Sequence, residues 1–484
     1  MTLTPSLAGA GLAALNERVK YDLACLNLPP ANWVPAPLAN DAQHVHDVVI
    51  VGGGQCGLVA AFALLSGGIS NIRIFDRNPA GLEGPWLNYA RMETLRSPKT
   101  LPGPSYGFAS LTFRAWYEAQ FGEAAWEALD KIPRPTWMAY LCWYREVLNL
   151  PVENCVEVEH VQPEGELLSL SLSGSGAPAQ RILTRKLIMA TGREGTGAPK
   201  IPGFVNSLPP QAWAHTSDEI DFTALKGKRV VVIGVGASAI DNAAEALEQG
   251  AREVRFLIRR HQMPTINKMM GIGSYGFTHG YATLPDAWRW RIMHYSFITQ
   301  TPPPRGSTLR VSRHDNAYFH FGCGIEGMRM EGDEVAITTQ AGKEVRCDFV
   351  ILGTGFEIDP LARTELAGYA DRILLWRDRY TPPAELQHTE LGNFPYVDRD
   401  FAFQEREPGT APWLSNIHCF NYGASVSLGK VSGDIPGISE GASWLAGAIA
   451  ASLYREDVEH HWQSLQQYDS PELLGDEWAP SPLP

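Results

Sequence analysis

The chain lacks any run of about 18 or more uninterrupted apolar residues, so its sequence predicts no membrane span. Cysteine is scarce. Seven are scattered at 25, 56, 142, 155, 323, 347 and 419, an odd number with no C-x-x-C pair. That speaks against a disulfide framework, a cysteine-rich zinc site and a dithiol redox centre together. It also points to a reducing, cytoplasmic compartment. Positive charge is in deficit. The 40 Lys and Arg face 53 Asp and Glu, for a formal net charge of −13. A surface of that sign argues against nucleic acid or anionic membranes as partners. The first 22 residues have an apolar look, yet they lack the basic start of a secretory leader, and Pro5, Gly9 and Gly11 interrupt them.

What is present suits a globular protein: 44% hydrophobic and 19% charged residues exclude disorder as the main state. A length of 484 residues suggests about three domains, or two with one discontinuous. The organising stretch is Val48–Asn78. An apolar run, Val48–Val51, fits a buried parallel strand. Gly52, Gly54 and Gly57 then make G-x-G-x-x-G, an apolar helix follows at Leu58–Leu65, and a second strand, Ile72–Phe75, ends at Asp76. Gly52 permits the tight turn, Gly54 lets backbone approach a pyrophosphate, and Gly57 lets helix and strand pack closely. The helix start offers unpaired N–H groups to phosphate. Asp76 is placed to accept hydrogen bonds from ribose hydroxyls.

Upstream, a helix at Leu12–Leu26 and a proline-rich link at Pro29–Pro37 precede the first strand. Downstream, Gly81–Lys99 has no clean period and reads as a loop leaving the carboxyl end of the sheet, where ligands bind. Trp86, Asn88, Arg91, Met92, Arg96 and Lys99 are its candidates to face a ligand. Leu111–Leu129 and Thr136–Leu150 have helical spacing with aromatics for the core. Cys155–Arg185 alternates, with a turn at Gly174–Pro178, as a small antiparallel sheet would. Lys186–Gly192 is another buried strand, ending in Ala190-Thr191-Gly192.

After a break at Ala198–Gly203 the opening pattern returns. A strand at Arg229–Ile233 leads into Gly234, Gly236, Ser238 and Ala239, a helix to Leu247, and a strand at Val254–Ile258. This strand ends in Arg259-Arg260 where the first ends in an acid. A 2′-phosphate repels a carboxylate and attracts a guanidinium, so the second site prefers NADP(H). His261–Cys323 is aromatic-rich and could wall a substrate cavity. Val335–Thr339 and Glu344–Gly355 read as a hairpin ending in Gly353-Thr354-Gly355-Phe356, and a late helix follows over Gly437–Tyr454. The expected fold class is α/β with two Rossmann-like dinucleotide-binding domains. An extension (1–44) precedes the first dinucleotide-binding domain (45–197), which the resemblance given below makes the FAD domain. The second, NADP(H)-binding domain (198–340) carries the insertion 261–323, and the first resumes over 341–484.

Two such patterns in one chain, without a dithiol, point to a flavoprotein reduced by a nicotinamide. The order resembles the class B flavin-dependent monooxygenases, which include flavin-containing monooxygenases, Baeyer–Villiger enzymes and ornithine or lysine N-hydroxylases. Gly52, Gly54, Gly57 and Asp76 carry the FAD side of the resemblance. Gly234, Gly236, Ser238, Ala239 and Asp241 carry the NADPH side. Ala190–Gly192 and Gly353–Phe356 match two ATG-type linkers, and Glu83–Asn88, with Trp86, is similar to a G-x-W segment near the flavin. The segment Gly203–Ile220 departs from the Baeyer–Villiger signature, keeping only a His-Ser-like pair at His215. Pro133-Arg134 with Tyr140, Leu141 and Trp143 is similar to an N-hydroxylase segment.

The resemblance implies hydride transfer from NADPH to FAD. Oxygen from O2 would then pass, through a C4a-(hydro)peroxyflavin, to a small molecule, with N-hydroxylation of an amine first among the outcomes. Baeyer–Villiger or sulfur oxygenation, or a reductase or oxidase without oxygen transfer, are the alternatives. Asn88 is the candidate side chain near the reacting oxygen, and His215 the candidate to touch the nicotinamide ribose or gate motion. The sequence leaves oligomeric state open, a homo-oligomer included, and names no substrate.

Overall fold

The computed structural model describes residues 11–36, 44–174 and 177–484. The leader-like residues 1–10, the end of the proline-rich link and its continuation at 37–43, and residues 175–176 of the expected turn lie outside them. The architecture is mixed α/β, organised by two separate sheets with parallel strands at their centres.

The first sheet is built on Val45–Val51, which pairs in parallel with Ile72–Asp76 on one side and with Ala177–Met189 on the other. Val48, Val49 and Ile50 are wholly buried, as a strand covered on both faces requires. The helix Gln55–Ser66 crosses over from the first strand to the second, and its Ala-rich body is buried nearly all round. The sheet borrows Ile417–His418 from far along the chain, paired in parallel with Leu187 and Ile188. The late helix spans Ile438–Glu456 and packs against Gln55–Ser66.

The second sheet is parallel throughout, in the spatial order Trp213–His215, Phe349–Leu352, Arg229–Ile233, Glu253–Ile258, Ala317–Phe321. Its helix, Ala237–Glu248, follows Arg229–Ile233 as Gln55–Ser66 follows Val45–Val51.

Several expectations need correction. Leu111–Leu129 is two helices, Phe113–Phe121 and Glu123–Ala128, because Gly122 takes φ +83° between them. The antiparallel region and the strand at Lys186 are not separate. A single long strand, Ala177–Met189, pairs with Leu167–Gly174 at its start and with Val45–Val51 towards its end. The stretch 81–99 is not all loop, since Thr94–Pro98 pairs with Lys131–Pro133. The expected hairpin stops early: Glu334–Thr339 pairs with Glu344–Cys347, and Phe349–Leu352 then joins the middle of the second sheet. The chain thus returns to the first sheet after 352, not at 341. The aromatic-rich region 261–323 is more regular than its sequence suggests, with helices Asp286–Thr299 and Arg305–Ser312 and the edge strand Ala317–Phe321.

One buried guanidinium fastens the second sheet's helix to the region 81–99. Arg310 donates to both oxygens of Glu248, at 2.9 and 2.6 Å, and to the Arg91 carbonyl at 2.9 Å. A buried, bidentate Arg–carboxylate pair is oriented as well as strong, so the 81–99 region is held at a set distance from the second helix. Among the described residues no helix is long and apolar enough to cross a membrane.

Asp47, on the first strand, is the weak point of this core. It is 1% exposed, and its Oδ1 has no hydrogen-bond partner among the described residues. Arg185 stands 3.9 Å away and gives its short contact, 2.7 Å, to Asp457. Burial pushes the Asp47 carboxyl up to about 6, against the pull of Arg185. The folded state therefore binds this proton more tightly than the unfolded chain. The resulting stability is present at low pH and is lost as pH rises through about 6. Asp47→Asn is expected to raise stability by about 1–3 kcal/mol near neutral pH, with the gain fading below about pH 4, the ordinary carboxylate range. Thermal melts of the two proteins across that pH range measure it; equal melting curves at neutral pH would contradict it.

Candidate active site

A cleft of about 390 Å³ opens at the carboxyl ends of the first sheet's strands. Its wall includes Gly52, Gly54 and Gln55 from the first turn, Asp76 from the second strand, and Trp86 and Asn88 from the loop. Thr191 and Gly192 close a third side, with Tyr422 and Asp434 from the last segment.

The first glycine turn sorts its members by what a side chain would strike. Gly52 has φ +107°, and a Cβ there would lie 2.4 Å from the Ala190 carbonyl oxygen. A Cβ on Gly57 would lie 1.8 Å from the Gly52 carbonyl oxygen. These two positions are needed by the protein itself. Gly54 is different: its Cβ would meet nothing nearer than 3.9 Å. The space over Gly54 is open to a ligand's approach, beside the first unpaired N–H groups of the helix. Gln55 lines the same space. Its Nε2 donates to the Gly433 carbonyl at 3.2 Å, while its Oε1 is buried without a partner among the described residues.

Asp76 is 6% exposed and accepts the Gly53 N–H and the Asn78 N–H, each at 2.8 Å, one on each oxygen. Burial raises its pKa and the two N–H bonds oppose that rise. Each oxygen keeps a second lone pair for a hydroxyl.

The second turn repeats this logic with one exchange. Gly234 has φ +99°, and its Cβ would lie 2.6 Å from the Gly353 carbonyl oxygen. Gly236 has open space, with nothing within 4 Å. Ala239 fills the third glycine position because the facing residue, Gly353, gives up its own side chain: a Cβ there would lie 2.3 Å from that of Ala239. Ser238 is exposed on the first turn of the helix. Gly355 takes φ +76° and its carbonyl accepts the Lys200 N–H at 2.9 Å. Beyond the next strand, Arg259 is exposed, and Arg260 donates to the Ile298 carbonyl at 3.0 Å. Neither makes an ion pair among the described residues.

Asn88 stands in the cleft wall, but its Nδ2 donates to the Leu82 carbonyl at 2.7 Å and the Gly84 carbonyl at 2.9 Å. Both N–H groups close the loop, so none is free to donate to a reacting oxygen. Trp86 packs edge-on against Trp137 at 6.2 Å. Arg134 ties down both flanks of this segment through the Trp86 and Met92 carbonyls. Lys99 turns away, with its ammonium 4.8 Å from the Trp126 ring centre.

His215 ends the edge strand of the second sheet and is fully buried. Its Nδ1 meets Ser217 Oγ at 2.7 Å, its ring lies edge-on to Phe356 at 5.7 Å, and its Nε2 has no partner among the described residues. Burial lowers its pKa, so the ring is neutral at pH 7.

Two structural anchors were invisible in the sequence. Asn421 is fully buried. It donates to the Met189 carbonyl and to Thr191 Oγ1, both at 3.1 Å, and accepts from Gly423 N–H and Thr196 Oγ1, both at 2.8 Å. It fastens the last segment to the turn beside Gly192. Glu83 accepts from Arg145 at 2.8 Å and Asn154 at 2.7 Å, fixing the loop's root. The partners that make them anchors, Met189, Thr191 and Thr196 for Asn421 and Arg145 and Asn154 for Glu83, are distant in sequence.

Comparison with known proteins agrees with this geometry. Residues 49–271 match the family described as pyridine nucleotide-disulphide oxidoreductase. All seven cysteines are free thiols. The FAD-dependent urate hydroxylase of Xanthomonas campestris pv. campestris is 40% identical over 469 residues, 96% of this chain and 98% of that protein. The ornithine hydroxylase of Pseudomonas aeruginosa shares the fold with a TM-score of 0.66 at 16% identity, covering 84% of this chain and 100% of that one. An ornithine N-hydroxylase of Kutzneria, solved with reduced FAD, NADP+ and L-ornithine, gives 0.63 at 18% identity over 84% and 99%. The chain therefore belongs to the class B flavin-dependent monooxygenases, in the family of that urate hydroxylase.

Two substitutions separate the jobs of the glycines. Gly57→Ala forces backbone apart and should cost about 3 kcal/mol or more of stability. Gly54→Val should fold with a stability change within about 1 kcal/mol yet retain FAD roughly 10-fold more weakly. Melting curves and flavin titration read the two quantities. A Gly54→Val protein that holds FAD normally would contradict the open-space argument. Arg259→Ala with Arg260→Ala should raise the KM for NADPH by about 10-fold or more and the KM for NADH little. An equal rise for both would show that these side chains do not read the 2′-phosphate.

Proposed function

We propose that this chain is an NADPH- and FAD-dependent monooxygenase that hydroxylates a small, planar nitrogen heterocycle of the urate class. The observation that carries this reading is the 40% identity to a urate hydroxylase over 96% of the chain and 98% of the relative. That span covers both glycine turns, the loop at 81–99 and the aromatic-rich region 261–323, none of whose residues lines the cleft described above. The N-hydroxylases match at 16% and 18% identity, so they support the architecture and not the substrate.

The residues fit the two cofactors. FAD would be held over Gly52, Gly54 and Gly57, where Gly54 has an open face and Gln55 Oε1 is unpartnered among the described residues. Asp76 would receive its ribose, with Trp86 in the wall beside it. NADPH would be held over Gly234, Gly236, Ser238 and Ala239, with Arg259 and Arg260 taking its 2′-phosphate. Gly353 and Gly355 keep backbone low beneath that second helix. This arrangement makes two Rossmann-like units, the FAD unit discontinuous because Ile417–His418 and Ile438–Glu456 complete it. Bound flavin, once reduced by NADPH, supplies the chemistry that moves one oxygen atom of O2 to the substrate. The chain's part is to position and to keep dry. Trp86, Tyr89 and Tyr422 present aromatic surface to the cleft and exclude water. Burial pushes the Tyr89 hydroxyl up to about 12, so it stays protonated. His215, neutral and buried, holds the Gly353–Phe356 turn through its contact with Phe356.

The segment that suggested an amine N-hydroxylase serves packing. Tyr140 donates to the Leu111 carbonyl at 2.7 Å, and Trp143 to Asn16 Oδ1 at 2.8 Å. Neither lines the cleft.

The test is turnover with NADPH and labelled oxygen on urate, ornithine, a ketone and a sulfide. Urate is expected to give the highest kcat/KM and a product carrying one labelled oxygen. Turnover of ornithine without urate would overturn the substrate class. NADPH consumed entirely as peroxide with every compound would overturn oxygen transfer.

A further inference from the structure

The cleft extends past Asp76 to the root of a neighbouring strand. Strand pairing sets Asp76 opposite Asn154. Asn154 Nδ2 and the Cys155 N–H both donate to the Asn78 carbonyl, at 3.0 and 3.2 Å. The strand Val156–Glu164 starts there, and its Val156, Glu157 and Val158 line the cleft. The remaining wall at this end comes from far along the chain. The short helix Thr364–Ala367 packs against Val156–Glu164, and Arg363 and Glu365 line the cleft beside the two valines. The approach to that helix is pinned on its other side. Ile358 pairs with Gly197, and the Asp359 N–H donates to the Thr196 carbonyl at 3.0 Å.

The charged side chains at this end are satisfied within the protein. Asp76 accepts its two N–H groups, and Arg77 meets Glu194 at 2.9 Å and Glu157 at 3.9 Å. Arg363 Nε and Nη2 both donate to Glu365 Oε1, at 3.0 and 2.6 Å. Glu365 is 3% exposed, and Thr364 Oγ1 meets its other oxygen at 3.4 Å. A buried carboxylate gripped by two nitrogens of one guanidinium holds the plane of that group and cancels its charge. A phosphate needs uncompensated donors, which the helix start at Gly54 offers and this end does not. A neutral planar base suits it better. Guanidinium planes stack on aromatic faces, and branched aliphatic side chains pack against them.

We propose that Arg363 and Glu365 form the adenine-binding element of the first crevice, an inference that rests on FAD filling that crevice. Arg363 lies flat against the base, Glu365 acts as the positioning residue that keeps it there, and Val156 and Val158 give the base its apolar wall. The pair makes the crevice selective for the dinucleotide over the mononucleotide, because FMN has no group to place there.

The test titrates flavin-free protein with FAD and with FMN, read by flavin fluorescence. ADP is titrated by calorimetry with NADP+ present to fill the second crevice. Arg363→Lys keeps the ion pair and removes the plane. Arg363→Ala combined with Glu365→Gln removes both charges, so that no buried carboxylate is left alone. The paired variant should raise the Kd for FAD and for ADP by about 10-fold, and Arg363→Lys by less. The Kd for FMN should stay as in the wild type, which also shows that the rest of the crevice is intact. Equal weakening for FAD and FMN would overturn the proposal, since the pair would then merely support the fold. Unchanged FAD and ADP binding in both variants would overturn it too. If the wild type takes up no flavin, the cofactor reading fails by itself and ADP decides. Weaker ADP binding in the variants retains the adenine site, and ADP binding that is unchanged, or absent from the wild type, removes it.

Discussion

The structure depends on backbone approaching backbone where no side chain can stand. At the first turn, the Gly57 Cα sits against the Gly52 carbonyl so closely that one methyl group would lie 1.8 Å from its oxygen. This contact sets the angle at which Gln55–Ser66 leaves Val45–Val51, and so where the helix points its free N–H groups. Everything that lines the cleft is arranged around that direction. The second turn meets the same demand by a different division. Ala239 carries a methyl group on the helix, and Gly353 on the neighbouring strand's end supplies the room. Close packing is conserved in space while the small residue moves from one element to another.

Around those contacts, the site is assembled by long-range ties between charged or amide side chains and main-chain carbonyls. Arg134 holds the carbonyls of Trp86 and Met92, Arg310 that of Arg91, and Asn421 that of Met189. Each tie joins segments tens to hundreds of residues apart. Each is buried or half-buried, where leaving the partner unmet is expensive. The loop at 81–92 is therefore a fixed wall, with its polar groups largely satisfied internally. Asn88 illustrates the consequence: a side chain in the cleft wall whose donors are already engaged contributes shape and not proton transfer. Arg96 is the contrasting case, a side chain in the same region with donors left over.

The functional reading follows from this division between satisfied and unsatisfied groups. Open space over Gly54 and Gly236, and a buried Gln55 oxygen without a partner, mark where polar ligands belong. The flanks are aromatic, which suits chemistry that water would divert. Fold similarity at 16–18% identity extends across families with different substrates, so it cannot choose among them. Identity of 40% along nearly the entire chain of a urate hydroxylase bears on the walls as well as the turns.

From the sequence alone came both glycine turns, their strands and helices, Asp76 at the end of one second strand and Arg259-Arg260 at the end of the other, and the flavin-dependent class. These are legible because they are local: a turn's conformation and a helix's start are decided within a few residues. Tertiary structure decided the rest. Only the sheet shows that Phe349–Leu352 belongs to the second layer and Ile417–His418 to the first, since a four-residue apolar run has no period that names its partner. Only packing shows that Asn88 closes a loop, that Tyr140 and Trp143 fill the core, and that Arg96 reaches the Pro302 carbonyl. Whether a polar side chain is satisfied depends on atoms brought to it from elsewhere in the chain, and no window of sequence contains them.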